Sequence, residues 1–236
     1  DFLGKDRERP VWALIGGRMT ERGRAYSYLY PMAHHDLPAF WGDADQAAES
    51  ALDLVARGYT AVKFDPAGPY TLRGGHQPSF HDIETSVAFC RTIRAAVGPR
   101  ADLLFGTHGQ FSTGGAIRLA HEIESYSPLW FEEPVPPDNI SAMAEVARAT
   151  SVTVATGERL TTKAEFGAVL AAGAANILQP ALGRSGGKCP FRHFDSEYSD
   201  GRNHRNPVSR RAYQRHDCGR KRLCSRPRRA GPGHRR

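Results

Sequence analysis

The sequence predicts an α/β fold, a partial (β/α) TIM-like barrel of about six strands. Three observations carry that expectation. From residue 22 to about 180, short apolar runs alternate with stretches of helical period. The apolar runs are mostly continuous, as in a parallel sheet covered on both faces. Six such units pass without the glycine fingerprint of a dinucleotide fold, which favours a barrel over a doubly wound sheet.

The elements follow in order. "GRAYSYLY" (23–30) is an aromatic-rich strand. A helix starts at an Asp43 N-cap, carries Ala47, Ala48, Ala51, Leu52 and Val55 on one face, and ends at Gly58. "YTAVKFD" (59–65) is the second strand. A helix from about Asp82 to Val97 follows, with Ile83, Val87, Cys90 and Ile93 as its apolar stripe and Gly98 as its stop. "ADLLFG" (101–106), "PLWFEE" (128–133), "VTVATGE" (152–158) and "AANILQP" (174–180) are strands three to six. Helices are expected near 113–124, 139–149 and 163–171, the last announced by the capping-box pair Thr162 and Glu165. "GPYTLRGGHQPSF" (68–80) has neither period and reads as an active-site loop at the strand ends.

Charge divides the chain. Residues 1–187 hold 17 Lys+Arg against 21 Asp+Glu, whereas residues 188–236 hold 15 against 4. Cys90 lies in the body, and Cys189, Cys218 and Cys224 lie in the tail. The body therefore reads as a cytoplasmic, disulfide-free enzyme domain. No apolar run is long enough to span a membrane, and the N-terminus lacks the apolar stretch of a signal peptide. The tail is arginine-laden and has no period. It is compatible with a basic arm for nucleic acid, with a zinc site from His216, Cys218 and Cys224 at no standard spacing, and with a disordered terminus. A string this rich in arginine and cysteine and this poor in period fits best with codons that run out of frame from about residue 188.

Two strands end in carboxylates. "WFEE" delivers Glu132 and Glu133, and "ATGE" delivers Glu158, 26 residues beyond Glu132 and one strand–helix unit later. Barrel enzymes gather their reacting groups at the C-terminal strand ends, so neighbouring units put both carboxylates at one mouth. Two such charges repel unless a cation or proton lies between them, and oxygen donors on a rigid rim suit Mg²⁺. The same register, counted back from Glu132, reaches Gly106, which has no side chain to offer; His108 is the nearest polar group.

"FGTHGQF", "WFEEPVPP", "ATGERL" and "ILQPALGRSGG", in this order and spacing, resemble the enolase superfamily, specifically its mandelate racemase/muconate-lactonizing group and, within it, the galactonate- or mannonate-type acid-sugar dehydratases. The resemblance covers residues 1–187. It divides the chain into residues 1–20, a remnant of the connection to a mostly missing capping domain, 21–187, a partial barrel, and 188–236, a non-homologous tail. It implies a homo-oligomeric parent enzyme, a small acid-sugar substrate and a divalent metal, usually Mg²⁺. Its chemistry would be abstraction of a proton beside a carboxylate to give a metal-stabilised enediolate.

Carried over residue by residue, the resemblance makes Glu132 and Glu158 metal ligands. It makes His108 a general acid and Lys63 the first lysine of the strand-two motif. There are departures. Gly106 stands for the usual Asp ligand, Asp65 for the second lysine, and Ala181 for an Asp that orients a histidine base; that histidine is absent. Whether His108 or Asp65 replaces the missing ligand is left open. So are humbler roles: His108 as a structural loop histidine, Asp65 as a loop cap, and Glu158 as half of a salt-bridged turn with Arg159. Glu133 is expected behind the ligands or paired with a base. His34, His35, His76 and His81 are placed on solvated loops, with His76 a candidate substrate contact.

Overall fold

The computed structural model describes residues 2–14, 17, 23–68 and 75–180. All of these lie in a compact unit, Asp1–Tyr198; a second unit, Ser199–Arg236, lies outside the described residues. Ala181, the tail with its cysteines, and part of the 68–80 loop also lie outside them.

Two short helices open the chain, α1 (Phe2–Asp6) and α2 (Val11–Leu14). Six parallel strands follow in sequential order: β1 (Ser27–Tyr28), β2 (Ala61–Phe64), β3 (Asp102–Gly106), β4 (Trp130–Glu132), β5 (Val154–Thr156) and β6 (Ile177–Leu178). Helices α3 (Ala44–Ala56), α4 (Phe80–Val97), α5 (Thr113–Ile123), α6 (Ile140–Ala149) and α7 (Lys163–Ala171) connect successive strands. This is the partial barrel expected. The strands are shorter than their apolar runs, because ladder pairing stops where the flanking residues turn into loops.

Local chemistry sets the helix starts. Asp43 accepts from the backbone N–H groups of Asp45 and Gln46. Thr162 and Glu165 form their reciprocal cap as expected. For α4 the cap is Ser79, with Asp82 as its reciprocal partner, so the helix begins before the expected Asp82 and takes in His81. Ser-x-x-Asp satisfies the same two orphan donors as the commoner Ser-x-x-Glu box.

One assignment on α3 is corrected. Leu54, not Leu52, completes the buried face with Ala47 and Ala51. Positions 47, 51 and 54 follow i, i+4, i+7, whereas Leu52 falls at the edge of that stripe and is 39% exposed.

Alternation along the strands separates two layers of side chains. Val62, Phe64, Leu103, Phe105, Phe131 and Val154 face the helices and join the main core. Phe64, Phe105 and Phe131 pack edge to face across three adjacent strands, with centroids 5.8 and 5.6 Å apart. Each such pair adds about 0.5–1.5 kcal/mol beyond its buried area. The opposite face carries a smaller cluster, Ala61, Leu104, Trp130 and Ala155, with Tyr26 and Ile177 against it. Because side chains alternate, Lys63, Gly106 and Glu132 share this inner face, one step nearer the C-terminal ends. The inner face is apolar below and ionisable above.

Candidate active site

The ionisable layer is built around Glu132. Its Oε1 accepts from Lys63 Nζ at 2.5 Å, and its Oε2 accepts from Trp130 Nε1 at 3.2 Å and Gln179 Nε2 at 2.9 Å. Lys63 is 1% exposed, and its ammonium also lies 5.0 Å from the centroid of the Tyr28 ring. A lysine buried this deeply needs such a partner.

Loop geometry positions the next group. Thr107 continues the lateral ties beyond β3: its hydroxyl donates to the carbonyls of Glu132 and Glu133, and its N–H to Glu132. The chain then turns through His108 at φ 51° and Gly109 at φ 68°. A non-glycine residue in the left-handed region stores strain, and such residues cluster at working sites. A Cβ on Gly109 would collide with Arg159 Nη2, so the turn requires glycine.

So held, the His108 ring lies between two carboxylates. Its Nε2 is 3.3 Å from Asp65 Oδ2 and its Nδ1 is 3.6 Å from Glu158 Oε1; Tyr28 Oη is 3.4 Å from Nε2. Burial is the first cause lifting the Asp65 carboxyl to about 7; Lys63 and Tyr28 oppose it. Burial also pushes the Tyr28 hydroxyl well up, with the charges of Asp65, Glu132 and Glu158 adding to it. Tyr28 thus feels all three carboxylates. It was missed in the sequence, where it looked like one more strand aromatic; its pairing opposite Lys63 gives it the inner face.

Glu133 stands behind the rim, with φ 42° and no exposure. Burial raises its carboxyl to about 7, against the pull of Arg159, whose Nε and Nη2 donate to Oε2 at 2.9 and 2.6 Å. The same Nη2 donates to the His108 carbonyl at 2.9 Å. Arg159 therefore ties the third, fourth and fifth strand ends together. The structure brings Lys63, Asp65, His108, Glu132, Glu133, Glu158 and Arg159 to one rim.

Of the four histidines expected on solvated loops, His34 is exposed on a turn as expected, and the other three are placed differently. His76 pairs with Phe111 in an isolated bridge and packs edge to face on its ring. His81 lies in the first turn of α4. The His35 side chain is 2% exposed and stacks on Phe40. Glu49 joins His34 and His35 through separate oxygens, each at 3.0 Å. Among the described residues these three form a set of metal-type donors drawn within 4.8 Å of one another. However, His35 Nδ1 accepts from the Met32 N–H at 3.2 Å. That puts the ring proton on Nε2, facing Glu49. A metal-binding histidine would instead donate from its second nitrogen, so the trio is a hydrogen-bonded clamp between loop and helix.

The rim residues fit a divalent cation by their chemistry. A carboxylate offers about four lone-pair sites. Lys63, Trp130 and Gln179 take three on Glu132, leaving one on Oε1. Glu158 adds a second hard oxygen donor. Mg²⁺ is commonly held by one or two carboxylates and keeps water and substrate in its shell. Among the described residues, the rim donors do not close into a three-residue set within 4.8 Å of one another.

A parallel β/α sheet with ionisable groups gathered at its C-terminal strand ends is the arrangement in which barrel enzymes place their reacting groups. Residues 46–194 match the model of the enolase C-terminal domain-like family, and the chain belongs to that family. Among characterised relatives, the D-xylonate dehydratase of Haloferax volcanii is 33% identical over 79% of this chain and 45% of its own length. The D-gluconate dehydratase of Thermoproteus tenax is 32% identical over 79% of this chain and 35% of its own length. A solved mandelate racemase/muconate lactonizing enzyme from Sulfitobacter sp. is 72% identical, with a TM-score of 0.74, over 77% of this chain and 46% of that one. One from Jannaschia sp. CCS1 is 64% identical, with a TM-score of 0.73, over 78% and 48%. The chain thus spans about half the length of these relatives, or less. Members of the enolase superfamily generally use Mg²⁺. Among the described residues, no helix is long and apolar enough to cross a membrane.

Proposed function

We propose that this rim belongs to a metal-dependent acid-sugar dehydratase, which removes water from an aldonate or aldarate to give a 2-keto-3-deoxy acid. One observation supports the reading most: Lys63, Asp65, His108, Glu132 and Glu158, from four consecutive strand ends, meet at one mouth. Relatives named for dehydration of D-xylonate, D-gluconate and D-galactonate point to the substrate class.

Glu132 and Glu158 would hold Mg²⁺. When bound, the ion neutralises charge on the substrate carboxylate, a contribution of several kcal/mol. Lys63 donates to Glu132 Oε1 and places positive charge beneath the substrate. His108 protonates the departing hydroxyl, with Asp65 and Glu158 facing its two ring nitrogens and fixing the ring between them. Arg159 and Thr107 hold the His108 turn against the neighbouring strand ends.

The resemblance assigns removal of the α-proton to a strand-seven histidine, and no "APH"-like string follows residue 180. Turnover by this chain is therefore expected to be slow. The test incubates the purified chain with Mg²⁺ and D-xylonate, D-gluconate or D-galactonate and measures the 2-keto-3-deoxy acid. Product that disappears in Glu132→Gln and Glu158→Gln supports the reading. Absence of both product and Mg²⁺-dependent binding of any of these sugar acids overturns it. The names of the solved relatives favour one second reading, racemisation or cycloisomerisation at the same rim. Isomerised substrate without loss of water would select it.

A further inference from the structure

We propose that Tyr30 forms an aromatic wall on which the hydroxylated chain of a sugar acid stacks, beyond the carbons that react at the rim. The proposal rests on the reading of the rim as a sugar-acid site and names a residue that selects the length of the substrate.

The placement follows from alternation along β1 and its continuation. Tyr26 joins the apolar cluster at the foot of the inner face, its ring edge to face with Trp130 at 5.4 Å. Tyr28 lies one level up, paired with Lys63 and with its hydroxyl 3.4 Å from His108 Nε2. The ladder then runs one residue further: the Leu29 N–H donates to the Lys63 carbonyl, and the Leu29 side chain joins the main core on the other face. Tyr30 therefore returns to the inner side, one level above Tyr28. The two ring centroids are 6.1 Å apart. Two residues along a strand advance by about 6.6 Å, so the rings stand as successive rungs. Ser50, on α3, fixes the upper rung by donating to the Tyr30 carbonyl at 3.0 Å.

Exposure rises up this ladder. Tyr26 and Tyr28 are half-buried, whereas Tyr30 is 61% exposed. Small-molecule sites pair a few polar groups, which fix the ligand's orientation, with aromatic and apolar surface that covers the rest. Here the carboxylate end of a sugar acid belongs to the ionisable rim, so its remaining carbons leave toward the mouth. Those carbons present C–H faces between their hydroxyls. A tyrosine offers a ring face to the first and a polar tip to the second. Leu37 and Trp41 are also exposed on this loop. Tyr30 is set apart by its contact with Tyr28, which ties it to the rim. Binding energy gathered away from the reacting atoms helps to orient them.

The test is calorimetric titration of the full chain with D-glycerate, D-xylonate and D-gluconate at saturating Mg²⁺, with folding of each variant checked by circular dichroism. The wild type is expected to favour the longer D-gluconate over D-glycerate. Tyr30→Ala is expected to shrink that preference about three- to tenfold, the return from one aromatic contact. Tyr30→Phe is expected to keep most of it, because the ring remains. A preference absent from the wild type, unchanged in Tyr30→Ala, or lost as fully in Tyr30→Phe overturns the proposal. The reading of the rim survives that result when binding is still lost in Glu132→Gln. Tyr30→Ala that keeps the preference but loses self-association in sedimentation overturns the proposal in favour of a docking face. A wild-type chain that binds none of the three acids at millimolar concentration overturns the proposal and the reading together.

Discussion

Lys63 Nζ and Glu132 Oε1 lie 2.5 Å apart across the inner face, bridging β2 to β4 past the glycine that ends β3. Both are almost fully buried, so neither charge is dispensable alone. Removing one partner of such a pair leaves the other stranded, at a cost of about 3–5 kcal/mol. Lys63→Met is expected to destabilise the chain by that amount in urea unfolding. Adding Glu132→Gln to it should give back part of the loss, and the double-mutant cycle measures how much. Simple additivity of the two would mean that the pair is not coupled.

The second relationship is between Arg159 and Glu133, and it gives a pH dependence. The Glu133 carboxyl is raised from the usual 4.5 to about 7, chiefly by burial. Between those values the folded chain binds more proton than the unfolded chain, so this group's contribution makes stability fall as pH rises from about 4.5 to about 7 and level off above. Asp65, raised from 3.8 to about 7, adds in the same direction. Glu133→Gln is expected to flatten the stability–pH curve in that window, measured by denaturant midpoints at successive pH values. A wild-type curve that climbs across the window contradicts the assignment.

The α3 face gives a sharper check on packing. Leu54 is buried and Leu52 is 39% exposed. Leu54→Ala is expected to cost about 2–5 kcal/mol, as for other buried leucines, whereas Leu52→Ala should stay near 0.5 kcal/mol. Thermal or urea unfolding of the two variants side by side decides between the faces.

That helix also shows what the sequence made legible. Strand–helix alternation, the Asp43 and Thr162 helix starts and the Gly98 stop sit in local residue types, and they reappear in the structure. The carboxylates at the strand ends were legible too, because strand register and barrel handedness carry them to a common face. Pairings between distant segments were not. Nothing in "GER" says that Arg159 reaches back to Glu133 and to the His108 carbonyl. Nothing in "SYLY" says that Tyr28 rather than Tyr30 meets the rim. Both depend on which way a loop turns, and turns are set by single backbone angles that composition does not reveal.

Gly109 tests one such angle. At φ 68° an alanine there pays for the left-handed backbone, roughly 1–2 kcal/mol. Its Cβ would also meet Arg159 Nη2 and crowd the Val135 carbonyl at 3.1 Å. Arg159 would have to leave Glu133, whose buried carboxylate then loses its guanidinium. Gly109→Ala is thus expected to cost more than the backbone strain alone. In an Arg159→Ala background the collision with the guanidinium is gone, so the same substitution should cost less than it does in the wild type. If the cost is equal in both backgrounds, Gly109 serves only the turn; if it shrinks, the glycine exists to let Arg159 cross beneath the His108 loop and lock three strand ends into one rim.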